Sequence, residues 1–197
     1  MMKLNSRQKK ALETKKRILE TALTLFSKKG FDQVTVDEIV ETTNTSKGAF
    51  YGHFSSKHEI FLEKFKEIDE FYEKFCESLP ETLSAETKII QLAVTQMDYL
   101  KNDLGKELMQ TIYMNPSSAR FLAKTNRKLY KLLNEYIKEG QENGEFVLGI
   151  PTEELVMIVT RCMRGTLYDW FIFNEDFDPI EEIRKMLNSV FTGIERK

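Results

Sequence analysis

Thr35–Phe54, TVDEIVETTNTSKGAFYGHF, reads as two short helices joined by a tight turn. The Thr35 hydroxyl is placed to cap the first helix, and Glu38, three residues on, to reach back to the capping residue's N–H. Val36, Ile39 and Val40 then share one inward face. Asn44 follows Thr42 and Thr43, and asparagine is second only to glycine in tolerating the left-handed backbone that ends such a helix. Thr45 or Ser46 caps the second helix, which presents Lys47, Gly48, Ala49 and Phe50 in its first turns and closes on Tyr51, His53 and Phe54. Small residues beside a base and an aromatic let a backbone approach a major groove closely, the outline of a helix-turn-helix DNA reader.

The flanks extend the pattern. From about Arg7 to Lys29 apolar residues including Leu12, Ile18, Leu19, Ala22, Leu23, Leu25 and Phe26 recur at three and four, and Gly30 ends that helix. Ser56, with Glu59 three places later, predicts a second capping box and a long helix through Ile60, Phe61, Phe65, Ile68, Phe71, Tyr72 and Phe75 to Leu79, where Pro80 stops it. At about 1.5 Å per residue it spans on the order of 35 Å, the length of a lever between a reading head and a body. Beyond Pro80 the chain reads as helices over about 84–101, 104–113, 117–143, 152–174 and 179–196, with Pro116, Gly144, Gly149, Pro151 and Pro179 as punctuation. Asp178, Pro179 and Glu181 form an N-cap, N1 and N3 set for the last of them.

With 197 residues, 41% hydrophobic and 30% charged, the composition is that of a folded globular chain. The net charge of −2 argues against binding nucleic acid over the whole surface, so a basic footprint has to be local. Residues 1–60 carry eleven Lys or Arg against seven Asp or Glu, while the remainder carries eighteen against 24. A basic head on an acidic body follows. Cys76 and Cys162 lie far apart with no metal-ligand spacing and read as small buried apolar residues. The basic N-terminus lacks the apolar run of a signal peptide and no stretch reaches the length of a membrane span, so a cytoplasmic protein without membrane partners is expected. Only His53 and His58 are available to acid–base chemistry, and no GxSxG, HExxH or phosphate-cradling glycine loop occurs, so no catalytic residue, metal or cofactor is expected.

From Thr14 to Phe61 an ordered set of residues resembles the N-terminal domain of the TetR (tetracycline-repressor-like) transcriptional regulators. It comprises Ile18, Leu19, Ala22, Leu25 and Phe26, then Gly30 and Phe31, then Thr35, Val36 and Ile39, then Ser46, Lys47, Gly48, Tyr51, His53, Phe54, Ser56 and Lys57. The chain departs from that pattern at the turn, which commonly reads Ala-Gly-Val and here reads Thr43, Asn44, Thr45. The resemblance implies an all-α fold: an N-terminal three-helix helix-turn-helix DNA-binding domain over 1–55 and a C-terminal helical ligand-binding and dimerisation domain over 56–197. It also implies a homodimer joined through the last two helices, a palindromic double-stranded DNA operator, and release of that repressor by a small-molecule effector of unknown identity. The reading that competes with it is a helical protein-interaction module that has kept the motif and lost DNA binding.

The expected roles then sort by position. Thr45, Ser46, Lys47, Gly48 and Ala49 face the groove, with Lys47 directed at guanine or a phosphate and Phe50 at a thymine methyl. Tyr51 and His53, which match backbone-holding positions of the family, are expected on phosphates together with Lys57 and Thr35. The basic residues Lys9, Lys10, Lys15, Lys16 and Arg17 form either a solvated face or a phosphate-binding arm. In the body, Met97, Leu100, Met109, Ile112, Tyr113, Phe121, Met157, Arg161 and Tyr168 are the candidate effector contacts, since Met and aromatic side chains suit an adaptable apolar pocket.

Overall fold

The computed structural model describes residues 5–80, 82–114, 127–173 and 176–194, the side chain of Phe65 excepted. Its regular structure is helical, with no strand among the described residues. In chain order the helices are α1 (Ser6–Lys29), α2 (Val36–Thr42), α3 (Lys47–His53), α4 (Lys57–Ser78), α5 (Ala85–Asp98), α6 (Lys106–Met114), α7 (Lys128–Glu142), α8 (Thr152–Ile172) and α9 (Pro179–Ile194). A π-helical segment, Tyr99–Leu104, continues α5. The chain divides into two compact units, one formed by the described residues of 1–67 and 107–121, the other by those of 68–106 and 122–197. The division falls inside α4.

In the first unit α1 buries Ile18, Leu19, Ala22, Leu23 and Phe26, the face its three-and-four spacing predicts. Its start lies one residue earlier than the sequence reading placed it, because Asn5 and Gln8 form a reciprocal capping box: each side chain accepts from the other's N–H, at 2.8 and 2.9 Å. Phe26, Phe31 and Phe61 pack as three mutually touching rings 4.8 to 5.2 Å apart, joining α1, the loop after Gly30 and α4. Such pairs add to the gain from burial. Two predicted capping boxes are only half formed. Thr35 accepts from the Glu38 N–H, but the Glu38 carboxylate turns to the Lys29 ammonium rather than back to the cap. Glu59 accepts at 2.5 Å from the N–H of Ser55, one residue before the expected Ser56.

In the second unit α5 packs on α7 and α9, α7 on α8, and α8 on α9. Ile89, Leu92, Leu133, Ile137, Leu155, Leu167, Ile183 and Leu187 fill the space between them. Gly140 is required there: a Cβ at that position would lie 2.4 Å from the Phe146 ring, which itself stacks on Phe191 at 5.3 Å. The buried Lys88 ammonium pairs with Glu139 at 2.6 Å and fixes α5 against α7. Gln141 donates to the carbonyls of Val147 and Ile150 and accepts from the Thr152 hydroxyl, which pins the connection into α8. Asp178 caps α9 by accepting from the Ile180 N–H at 3.0 Å, as the sequence pattern requires. The π segment was not legible in the sequence; Gly105, with φ of 83°, closes it by donating to the Leu100 carbonyl five residues back. The helix expected over 117–143 is described from Lys128, and its earlier part lies outside the described residues. Cys76 and Cys162 are half-buried rather than fully buried. The Tyr136 hydroxyl donates to Cys76 Sγ at 3.4 Å, and burial together with that thiol pushes the Tyr136 pKa up.

Candidate nucleic-acid interface

Between α2 and α3 the chain has to reverse within four residues, and its polar groups have to be satisfied while it does so. Asn44 takes φ of 50°, in the left-handed region, as expected for its place in the turn. The Thr43 and Thr45 N–H groups donate to the Ile39 and Val40 carbonyls at 3.0 and 2.9 Å. The buried Thr43 hydroxyl donates to the Ile39 carbonyl at 2.8 Å and lies 2.8 Å from the Thr45 hydroxyl. Thr43, Asn44 and Thr45 therefore build a closed, hydrogen-bonded turn in which hydroxyls do what small apolar packing does elsewhere. Ser46 caps α3 by accepting from the Ala49 N–H at 3.0 Å.

Two faces of α3 then separate at helical spacing. Phe50 and Phe54, four apart, point inward with rings 5.8 Å from each other, while Lys47 and Tyr51, also four apart, point outward with Gly48 between them. Phe50, expected at a thymine methyl, is 0% exposed and is part of the core that holds the helix, so the base contact assigned to it is corrected. Tyr51 is 55% exposed, its ring edge-on to Phe50 at 5.3 Å. Ser46 and Gly48 are exposed, and Thr45, Ala49 and His53 are half-buried at the rim. Thr35 is exposed at the start of α2.

The cations around this face are not all available. The Lys57 ammonium donates to the Phe31 and Val34 carbonyls at 2.7 and 2.8 Å and lies 4.4 Å from the centre of the Phe31 ring. It ties the loop after α1 to the start of α4, so the expectation of a phosphate contact gives way to a structural role. Lys15 is bound to Glu63, and that contact, with a further one from Lys66, outweighs partial burial and holds the Glu63 pKa below the ordinary carboxylate value. Lys9, Lys10 and Arg17 are exposed. Lys47 meets the Asp37 carboxylate at 2.6 Å, both side chains being more than 60% exposed, and the hydrogen bond that its ammonium donates to Asp37 raises the Lys47 pKa. That pairing of α2 with α3 was not anticipated.

The candidate effector residues do not share one environment. Met97, Leu100, Met109 and Ile112 are buried, Tyr113 is half-buried, and Arg161 and Tyr168 are exposed. Phe121 lies outside the described residues. Met157 lines an open groove of about 440 Å³ with Tyr130, Asn134 and Val156. Arg164 donates to the Tyr130 hydroxyl at 2.9 Å.

A capped helix standing on two buried phenylalanines and offering Lys47 and Tyr51 to solvent has the form of a helix-turn-helix reading helix, and comparison with known proteins shows what the chain resembles. Residues 18–63 match the family described as "Bacterial regulatory proteins, tetR family". The chain is 21% identical over 184 residues to the fatty acid metabolism regulator protein of Bacillus subtilis, covering 91% of this chain and 95% of that one. Over 52 residues, 26% of this chain and 28% of the other, it is 42% identical to the biofilm operon icaADBC HTH-type negative transcriptional regulator IcaR of Staphylococcus aureus. In fold it is similar to the crystal structure of the transcriptional regulator FadR from Bacillus subtilis in complex with stearoyl-CoA, with a TM-score of 0.78, 19% identity, and coverage of 91% of this chain and 99% of that one. Residues 18–63 are thus similar to the DNA-binding segment of tetR-family regulators, and the fold of the chain is similar to that of solved transcriptional regulators. No helix among the described residues is long and apolar enough to cross a membrane.

Proposed function

We propose that the chain is a cytoplasmic, homodimeric, non-catalytic repressor that holds a palindromic operator through α3 and leaves it when a small molecule binds the body. The observation that carries this reading is the outward face of α3, with Lys47 and Tyr51 one turn apart on a helix whose opposite side is locked by Phe50 and Phe54. A rigid helix with a cation and a phenol on its outer face suits base-edge and phosphate contacts in a major groove. Ser46, Lys47 and Gly48 face the bases, and Thr35, Tyr51 and His53 the phosphates.

Dimerisation is supported by a second face. On α8, Arg161, Gly165, Tyr168 and Ile172 form an exposed stripe at spacings of four, three and four, with Phe173 beyond it, and α9 exposes Met186 and Gly193. Tyr168 and Ile172 are each more than half exposed, and a Cβ at Gly165 or Gly193 would meet nothing within 4 Å. Glycine inside a helix costs about 1 kcal/mol relative to alanine, and one chain offers no packing reason for either residue. A second copy laid against the stripe supplies that reason.

Effector release follows from population shift: a ligand that prefers the arrangement with misplaced heads removes them from the spacing of about 34–36 Å that matches successive major grooves. The similarity to a regulator captured with stearoyl-CoA makes a long-chain acyl thioester the first effector to try, with buried Met97 and Leu100 as apolar lining. Selection of bound duplexes from random DNA tests the whole reading. A palindromic consensus, bound by a species that sediments as a dimer and released by the effector, supports it; recovery of unselected sequence contradicts it. By linkage, operator DNA has to weaken effector binding by the same factor that the effector weakens operator binding.

A further inference from the structure

The Lys47–Asp37 pair lies at the point where the reading helix meets DNA, and it joins the first residue of α3 to the first turn of α2. Among the described residues the carboxylate paired with Lys47 is that of Asp37, while the neighbouring Glu38 is bound to Lys29. Both side chains of the pair stand in solvent, so the bond is weak enough to be exchanged for another acceptor. The acidic member still sits where a phosphate-rich surface must approach, beside the outward Ser46 and Tyr51 side chains of α3, which carry no negative charge at neutral pH.

We infer that Asp37 is a specificity-determining residue: it occupies the Lys47 ammonium on bulk DNA and yields it only where a base edge offers a better acceptor. The inference rests on α3 facing the major groove, as proposed above. A phosphate on an arbitrary duplex offers Lys47 one mobile anionic oxygen, which does little better than the carboxylate it must displace. A guanine edge offers two acceptors in fixed geometry, and a correct pairing of that kind is what discriminates among bases. Asp37 therefore weakens every complex, but weakens the wrong ones more, and discrimination by penalising the wrong partner is a general route to specificity. It also removes Lys47 from the set of charges that displace counterions on bulk DNA.

The test uses the full-length chain in fluorescence anisotropy titrations across a salt series, against the selected operator and a random duplex of equal length. Asp37→Asn is expected to tighten binding to the random duplex on the order of tenfold and to the operator only about threefold, so that the preference narrows. On the random duplex the slope of log K against log salt should steepen by about 0.9, the contribution of one more phosphate contact. Asp37→Glu, which keeps the charge, should retain the wild-type preference. In a Lys47→Met background, Asp37→Asn should change neither affinity ratio nor slope. An equal gain from Asp37→Asn with and without Lys47 would mean that Asp37 acts by bulk repulsion and would overturn the inference, as would an unchanged preference in the single variant. A wild-type chain with no operator preference at all overturns the interface reading itself, and that outcome is visible before any variant is made.

Discussion

The α3 face of the head and the α8–α9 face of the body are opposite kinds of surface. The head buries its aromatics, Phe26, Phe31, Phe50, Phe54 and Phe61, and leaves Lys47, Tyr51 and exposed basic residues of α1 in water. The body leaves Tyr168, Ile172, Phe173 and Met186 in water beside two unhindered glycines. A polar, cationic face is solvated at little cost and suits a charged, hydrated partner such as DNA. An apolar helical stripe is not, and suits another protein surface. On the function proposed above, one short helix carries recognition while two long ones carry assembly.

The hardest way to break this contrast is to remove the support under the reading helix. Phe50→Ala is expected to cost about 3–5 kcal/mol in the head and to abolish binding to operator and random duplex alike, as read from thermal unfolding and anisotropy. A folded Phe50→Ala head with altered base preference would instead restore the base contact that its burial denies. A replacement of Tyr168 and Ile172 by Glu together should leave the helical circular dichroism unchanged, convert the sedimenting species to monomer, and weaken operator binding on the order of a hundredfold through loss of linked half-sites. A dimer that survives both charges removes the α8 stripe from the interface.

Smaller effects sharpen the division within the head. Lys57→Ala should destabilise it by about 1–3 kcal/mol, because two main-chain carbonyls lose their donor. Its salt slope on DNA should be unchanged; a slope lower by about one unit would reinstate Lys57 as a phosphate ligand. The smallest effect is electrostatic. Because the folded pKa of Glu63 is depressed, the Lys15–Glu63–Lys66 cluster stabilises the head above the ordinary carboxylate value of 4.5 and is lost as pH falls through the lower folded value. Glu63→Gln should therefore lower stability near neutrality and flatten its decline below pH 4.5, which urea titrations at several pH values would show. An unchanged acid limb would mean that the cluster contributes nothing.

How much of this was legible in the sequence depends on whether the deciding partner was near in the chain. The turn was: Asn44 adopts the backbone that its chemistry favours, and Thr35, Ser46 and Asp178 cap the helices they precede. Phe50 could have been placed too, since it lies one helical turn before Phe54 on one face of the helix, whereas Lys47 and Tyr51 share the other. What could not be read required a partner brought close only by folding. Glu38 prefers Lys29 to its own cap, Lys57 finds the Phe31 and Val34 carbonyls, and Asp37 meets Lys47 across the turn. In the body, composition identified Met and aromatic residues without saying which face they take, so Met97 and Leu100 are buried while Arg161 and Tyr168 look outward.

The central claim is that α3 lies in the major groove with Lys47 reading a base edge. Its most direct test is a titration of wild type and Lys47→Ala against the selected operator and against duplexes changed at each half-site position in turn. The account predicts one symmetric position where a base change weakens wild type about tenfold or more and leaves Lys47→Ala nearly indifferent. A Lys47→Ala chain that keeps the full wild-type preference at every position would contradict it.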